Sequence, residues 1–241
     1  VLFRSSHSPE FAMLEMYWAY ADWRSMKALT QELVQNAARD VFGSHSVTHY
    51  NGSVHNLGGE WKEIDFYEAI NSKVDIEVST ETTFDELKKL AQRIGLKVDP
   101  KWVHGKLAEE IFEFVYKENL HEPTFVMGYP VDTSPLVREH RDRKGIVEKW
   151  DLYFGGFELA TGYSELVDPI IQRERLVEQA KLGAKGDLEA MQVDEDFLRA
   201  MEHGMPPMGG VGMGIDRLLM ALTGLGIRET ILFPLVKPDE S

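Results

Sequence analysis

Near the end of the chain, Gly209, Gly210, Gly212 and Gly214 run directly into Ile215-Asp216-Arg217 and an apolar stretch through Met220. Glycine has no Cβ, so the backbone there can approach a ligand closely. A helix starting at Ile215 puts Arg217 in its first turn, where free N–H groups and the helix dipole favour an anion. A guanidinium fork at that place suits a phosphate. The same residues also fit a glycine-rich turn capping a core helix, with Arg217 paired to Asp216 or another neighbour. At the other end, Arg4, His7 and Phe11 lie within eight positions of one another. Together they can hold a phosphate and stack a flat ring. Glu15 and Tyr17 would share one face of a strand, unless Phe11, Leu14 and Tyr17 are core and Glu15 is a surface charge. Asp151, Glu158 and Glu165 recur at intervals of seven. Asp151 and Glu158 can meet across a hairpin and share a hard cation; a solvated sheet face is the other reading. Gly155, Gly156, Ala160 and Gly162 thin these strands and leave room for a ligand.

Elements must bring these groups together. Val1 to Arg4 reads as the end of a strand and Ser5 to Pro9 as a turn. The run from Phe11 to Tyr20 suits a buried strand leading into a helix. Met26, Leu29, Leu33, Val34, Ala37 and Val41 mark an amphipathic helix. Gly43 to Gly59 is polar and loop-like, with room for a short hairpin. Thr83 and Glu86 form a capping box for a helix that Gly95 closes. A second helix covers His104 to Leu120, and Pro123 to Met127 is a short strand. Lys149 to Leu166 reads as two antiparallel strands turning at Gly155-Gly156. Helices follow from Pro169 to Leu182, Val193 to Gly204 and Ile215 to Leu222, then a last short strand at Thr230 to Phe233. No βαβ alternation is present. The expectation is an α+β fold: a mostly antiparallel sheet flanked by helices, with an inserted helical lobe over about 43–120.

The chain has 241 residues, enough for one large domain or two small ones. It has no cysteine, which excludes disulfides and thiolate metal sites and fits a reducing compartment. Its net charge of −14 repels a polyanion, so nucleic acid would need a local basic patch or another domain. A small cationic substrate with magnesium suits this balance better. No apolar run approaches a membrane span. Val1 is not a start methionine, so a targeting segment cannot be judged.

Three stretches together resemble one family. Arg4 with His7-Ser8-Pro9-Glu10-Phe11-Ala12-Met13-Leu14-Glu15 is similar to motif 2 of class II aminoacyl-tRNA synthetases. Gly210 to Arg217 resembles their motif 3, and Ile227 to Pro234 their typical ending. Within the class, the runs His7–Asp22, Tyr129–Leu136 and Gly156–Pro169 resemble lysyl-tRNA synthetases of bacterial type. The resemblance covers nearly the whole chain, residues 1–241 forming one catalytic domain. It implies activation of lysine with ATP to lysyl-adenylate and transfer to a tRNA. It further implies that Arg4 binds the α-phosphate and the acyl carboxylate, and that His7 approaches the outer phosphates. Phe11 would stack on adenine. Arg217 would cover the other adenine face and reach the γ-phosphate, with Leu159 and Gly214 beside the nucleotide. Asp151 and Glu158 would hold magnesium, and Glu15, Tyr17, Thr161, Tyr163 and Glu165 would line the amino-acid pocket. A cationic side chain in a partly buried site needs carboxylates. A homodimer in the cytoplasm is implied as well.

The chain also departs from that family. Between Arg4 and Ser5 the relatives carry about six more residues, an exposed loop that closes over ATP; the expectation is that the junction skips this loop. Thr161 stands where asparagine is usual, and Phe157 where arginine is usual. Motif 1 and the anticodon-binding barrel would lie upstream of Val1. The departures in the pocket keep a second reading open, in which the same chemistry serves a protein or phosphatidylglycerol acceptor. A non-catalytic binding module is a third.

Overall fold

The computed structural model describes residues 10–184 and 190–234. Its centre is a six-stranded sheet in the order β1-β8-β7-β6-β5-β4. The strands are β1 (Met13–Ala19), β4 (Lys62–Asp65), β5 (Thr124–Met127), β6 (Lys149–Phe154), β7 (Phe157–Ser164) and β8 (Met208–Gly214). All pairings are antiparallel except that of β4 with β5. Strands β2 (Ser46–Thr48) and β3 (Val54–Asn56) form a separate hairpin.

Alternation along the strands separates two faces. On the back lie Trp150, Leu152, Phe154, Ala160, Val211 and Met213, covered by α1 (Trp23–Phe42) and by α7 (Ile215–Thr223). On the front of β5 and β6, Val126 and Tyr153 pack under α2 (Phe66–Asn71), α3 (Phe84–Ile94) and α4 (His104–Tyr116). These helices leave the front of β1 open, while Tyr163 of β7 packs against their cluster. The chain adds α5 (Pro169–Ala184) and α6 (Glu195–Glu202), which share a small cluster of Leu176, Leu198 and Met201, and a single turn α8 (Ile227–Thr230). Among the described residues no helix is long and apolar enough to cross a membrane.

Several sequence expectations change here. The run from Phe11 to Tyr20 is a strand, but an edge strand with an open front. Met13, Tyr17 and Trp18 are about half exposed or more, and the helix begins only at Trp23, capped by Asp22. The glycine run is not a turn: Met208 to Gly214 is β8, second from the sheet edge. The helical part of the 43–120 segment is confined to α2, α3 and α4, because Lys62 to Asp65 joins the main sheet. The strand expected over Thr230 to Phe233 is absent. Glu229 accepts a hydrogen bond from the Gly226 N–H at 2.7 Å, which draws 227–230 into a helical turn and leaves Leu232 and Phe233 exposed.

Candidate active site

The site lies on the open front of the sheet, and a β-bulge sets its register. Leu152 pairs with Ala160 while Tyr153 pairs with Glu158, so Leu159 is an extra residue on β7. Without it, Glu158 and Glu165, an odd number of positions apart, would face opposite sides. With it, Glu158, Thr161, Tyr163 and Glu165 share the front face with Lys149, Asp151 and Tyr153 of β6. Asp151 stands opposite Thr161 rather than Glu158, so the two acids are diagonal neighbours. Met13, Glu15 and Tyr17 of β1 pair with Gly214, Gly212 and Gly210 and complete the floor.

The thin residues serve two faces. Gly162 and Ala160 point back, and a Cβ on Gly162 would overlap the buried Trp150 ring. Gly209 also points back, where Met26 and the Asp22 backbone approach. These positions make room for the core and α1, not for a ligand, which corrects that part of the sequence reading. Gly155 and Gly156 both have positive φ and form the turn between β6 and β7. Gly210 and Gly212 are the residues that open the front. A Cβ on Gly210 would overlap Oε1 of Glu165 and come 3.1 Å from the Tyr17 ring, whereas one on Gly212 would meet only the Met13 methyl at 3.3 Å.

At one end of this floor a cavity of about 280 Å³ is lined by Phe11, Met13, Glu158, Leu159, Gly214 and Arg217. Thr161, Gly212, Asp216 and Ile227 also reach it. Phe11 is largely exposed at its mouth. The Asp216 carboxylate accepts the Ala12 N–H at 2.8 Å and so fastens the start of β1 to α7. Arg217 donates from Nη1 to the Glu158 carbonyl at 2.6 Å. The Leu159 side chain is buried in the rear core, so its side chain does not face a ligand. Thr161 is partly buried, its hydroxyl 3.5 Å from the Trp150 carbonyl. Phe157 packs on the rear core beside Gly155.

Between the two ends, Asp151 is paired with Lys149, Oδ2 to Nζ at 3.1 Å, and its Oδ1 is buried without a hydrogen bond. Burial and the Asp151 charge push the Glu158 carboxyl up to about 7. Burial also raises Glu109 of α4, although Lys149 and a Thr133 hydrogen bond pull the other way. For Lys149, burial works against the charge, but Asp151, Glu109 and Glu158 outweigh it and hold the ammonium above its usual range. Among the described residues, no three acidic or histidine side chains converge to hold a metal by themselves. Two adjacent carboxylates, one with an unused buried oxygen, fit magnesium whose other ligands are phosphates.

At the far end, Glu165 is 8% exposed and its Oε1 has no hydrogen bond. Burial and the nearby Glu15 push its carboxyl up to about 7. Tyr17 donates to Glu15 Oε2 at 3.2 Å. The Tyr17 and Tyr163 hydroxyls are both raised, by burial first and then by Glu15 and Glu165. Among the described residues no ion pair reaches either carboxylate.

Arg4, His7 and the Arg4–Ser5 junction lie outside the described residues. Phe11, Glu15, Tyr17, Asp151, Glu158, Thr161, Tyr163, Glu165, Gly214 and Arg217 fall on this one face or its rim, whereas Leu159, Phe157, Ala160 and Gly162 turn to the rear core. Sequence reasoning missed Lys149 and Glu109. Lys149 was within reach, because a residue two before Asp151 on a strand must share its face. Glu109 had no such signal, since its approach depends on how α4 docks.

An antiparallel sheet with one open face, a glycine-rich strand feeding the helix that carries Arg217, and a hairpin bearing acids make up one continuous site. The chain belongs to the class II tRNA synthetases of the D, K and N group, whose family model matches residues 2–237. It is 62% identical over 235 residues to a lysine–tRNA ligase of Kineococcus radiotolerans, covering 97% of this chain and 47% of that protein. It is 50% identical over 243 residues to lysine–tRNA ligase 1 of Mycobacterium tuberculosis, covering 98% and 48%. It is 44% identical over 237 residues to a lysylphosphatidylglycerol biosynthesis bifunctional protein of Nocardia farcinica, covering 97% and 21%. The chain thus spans about half the length of the ligases it matches.

Proposed function

We propose that this chain is the catalytic domain of a lysine–tRNA ligase, which forms lysyl-adenylate from lysine and ATP and then acylates the 3′ end of a tRNA. The observation that carries it is the Glu15–Glu165 pair: two close carboxylates, one buried with an unused oxygen, and no cation from the described chain. A buried charge without a partner is strongly unfavourable. An incoming ammonium supplies the missing partner and relieves the repulsion. The identity to lysine–tRNA ligases supports the same substrate.

In this reading Glu165 takes the side-chain ammonium, Glu15 the α-amino group, and Tyr17 and Tyr163 form the walls. Thr161 stands between this pocket and the nucleotide. Phe11 stacks on adenine, Arg217 covers its other face and meets the γ-phosphate, and Leu159 and Gly214 offer backbone beside it. Arg4 holds the α-phosphate and acyl carboxylate, and His7 the outer phosphates. Asp151 and Glu158 would hold magnesium, which would draw charge from the phosphates when bound. The lysine carboxylate attacks the α-phosphorus and pyrophosphate leaves. No protein nucleophile is needed, so the side chains act by positioning and by neutralising developing charge. Residues 1–241 form one catalytic domain within a homodimer of the cytoplasm, with tRNA also held by an anticodon-binding domain outside this chain.

A second reading changes only the acceptor. It is favoured by the Nocardia farcinica relative, whose name carries lysylphosphatidylglycerol biosynthesis. The test is ATP–pyrophosphate exchange against lysine, ornithine, arginine and methionine, followed by transfer from the charged protein to tRNA or to phosphatidylglycerol vesicles. Strongest exchange with lysine and transfer to tRNA is expected. Exchange led by a neutral amino acid overturns the lysine assignment; transfer to lipid alone overturns the acceptor.

A further inference from the structure

The front face holds a lysine of its own. Lys149 projects from β6 beside Asp151, with Nζ 3.1 Å from Oδ2. Its side chain is 18% exposed, and its ammonium sits 4.3 Å from the centre of the Tyr129 ring. An ammonium held between a carboxylate and an aromatic face has little freedom to wander. Glu109, a second carboxylate, acts on the Lys149 ammonium from α4 of the helical lobe. The other Asp151 oxygen, Oδ1, is buried and has no hydrogen bond. Asp151 therefore has one oxygen tied to Lys149 and one that is buried without a hydrogen bond, with the Tyr129 hydroxyl close to the carboxylate.

We propose that Lys149 is a positioning residue for the nucleotide end of the site: it pins Asp151 through Oδ2, so that Oδ1 is presented to the cation travelling with the triphosphate. This rests on the assignment of Asp151 and Glu158 to that cation. Lys149 also gives the acid pair a permanent positive charge. The ammonium of a lysine substrate then finds its nearest uncompensated carboxylate at Glu165, not at Asp151. Glu109 adds a second negative charge to the Lys149 environment from the lobe. A group one shell removed from a metal orients the ligand that touches it, and losing it weakens metal binding while the ligand set is intact.

The test measures binding by calorimetry, without turnover, in Lys149→Met, Lys149→Gln and Lys149→Arg. Three titrants are used: magnesium–ATP, ATP in chelator, and lysine. Removing the charge is expected to weaken magnesium–ATP by about 10–100-fold, to leave metal-free ATP and lysine affinities unchanged, and to be largely rescued by arginine. Should the methionine variant melt early, the glutamine variant, which keeps the length and a hydrogen-bonding end, decides. Equal loss for all three titrants in a folded variant would mark Lys149 as a general structural residue and overturn the proposal, as would unchanged magnesium–ATP binding. If the wild-type chain itself gains nothing from magnesium, the assignment of Asp151 and Glu158 fails instead.

Discussion

The two ends of the open sheet face carry the same kind of side chain and differ in what balances it. At the nucleotide end, Asp151 and Glu158 lie beside Lys149, which is fixed in place, and Arg217 reaches the Glu158 carbonyl. At the other end, among the described residues, Glu15 and Glu165 lie beside the phenols of Tyr17 and Tyr163 with no ion pair to either carboxylate. The difference teaches what each end awaits. On the proposed assignment, the triphosphate arrives with its magnesium where the described chain sets cations beside the carboxylates, and the lysine ammonium goes where the described chain sets none. Both ends hold a carboxyl raised to about 7, so burial alone does not separate them.

The sharpest way to break the comparison is to remove the acids at the nucleotide end. Asp151→Asn with Glu158→Gln is expected to abolish the dependence of ATP binding on magnesium, because neutral amides are weak ligands for a hard cation. Lysine affinity should persist, and calorimetry with each ligand reads both. Next, Arg217→Ala should lower lysine-dependent pyrophosphate exchange by about 10²–10³-fold with the fold intact, in line with the loss of one preorganised charge contact. A circular-dichroism melt beside the exchange assay separates chemistry from unfolding.

A pair of glycine substitutions tests the two faces. Gly162→Ala drives a methyl into Trp150 and should destabilise the protein by about 1–3 kcal/mol, as overpacking does. Gly210→Ala displaces the Glu165 carboxylate and should impair lysine binding more than it lowers the melting temperature. Equal effects from both would dissolve the distinction between core-facing and ligand-facing glycines. The smallest expected effect is on the ligand-free protein. Glu158 and Glu165 are raised from 4.5 to about 7, so the folded state holds more protons than the unfolded state between those values. Stability should therefore be fullest below about pH 4.5 for these two groups and decline as pH rises toward 7. Denaturant midpoints across that window, compared with those of Glu165→Gln, read the contribution.

Much of this was legible in the sequence because it is local. The capping box at Thr83 and Glu86 and the closing Gly95 mark α3 where it forms, and the Gly155-Gly156 turn marks the β6–β7 hairpin. What was not legible depends on partners distant in the chain. The glycine run gives no β signal of its own. It becomes a strand because β1 and β7 flank it, and because small residues are needed on both of its faces. Four residues, Lys62 to Asp65, are too few to announce an edge strand. The spacing of the acids pointed to a shared face for an incomplete reason, since Glu158 and Glu165 face the same side only through the bulge at Leu159.

The central claim is that Glu165 is an unpartnered carboxylate waiting for the lysine ammonium, and its most direct test is lysine affinity as a function of pH in the wild type and in Glu165→Gln. The carboxyl must be ionised to pair, so wild-type affinity should fall by up to about tenfold per pH unit below 7 and level off above it. Glu165→Gln should bind lysine more weakly by about 2–5 kcal/mol at pH 8 and lose most of that pH dependence. Full lysine affinity in the folded mutant, or an unchanged pH profile, would contradict the account.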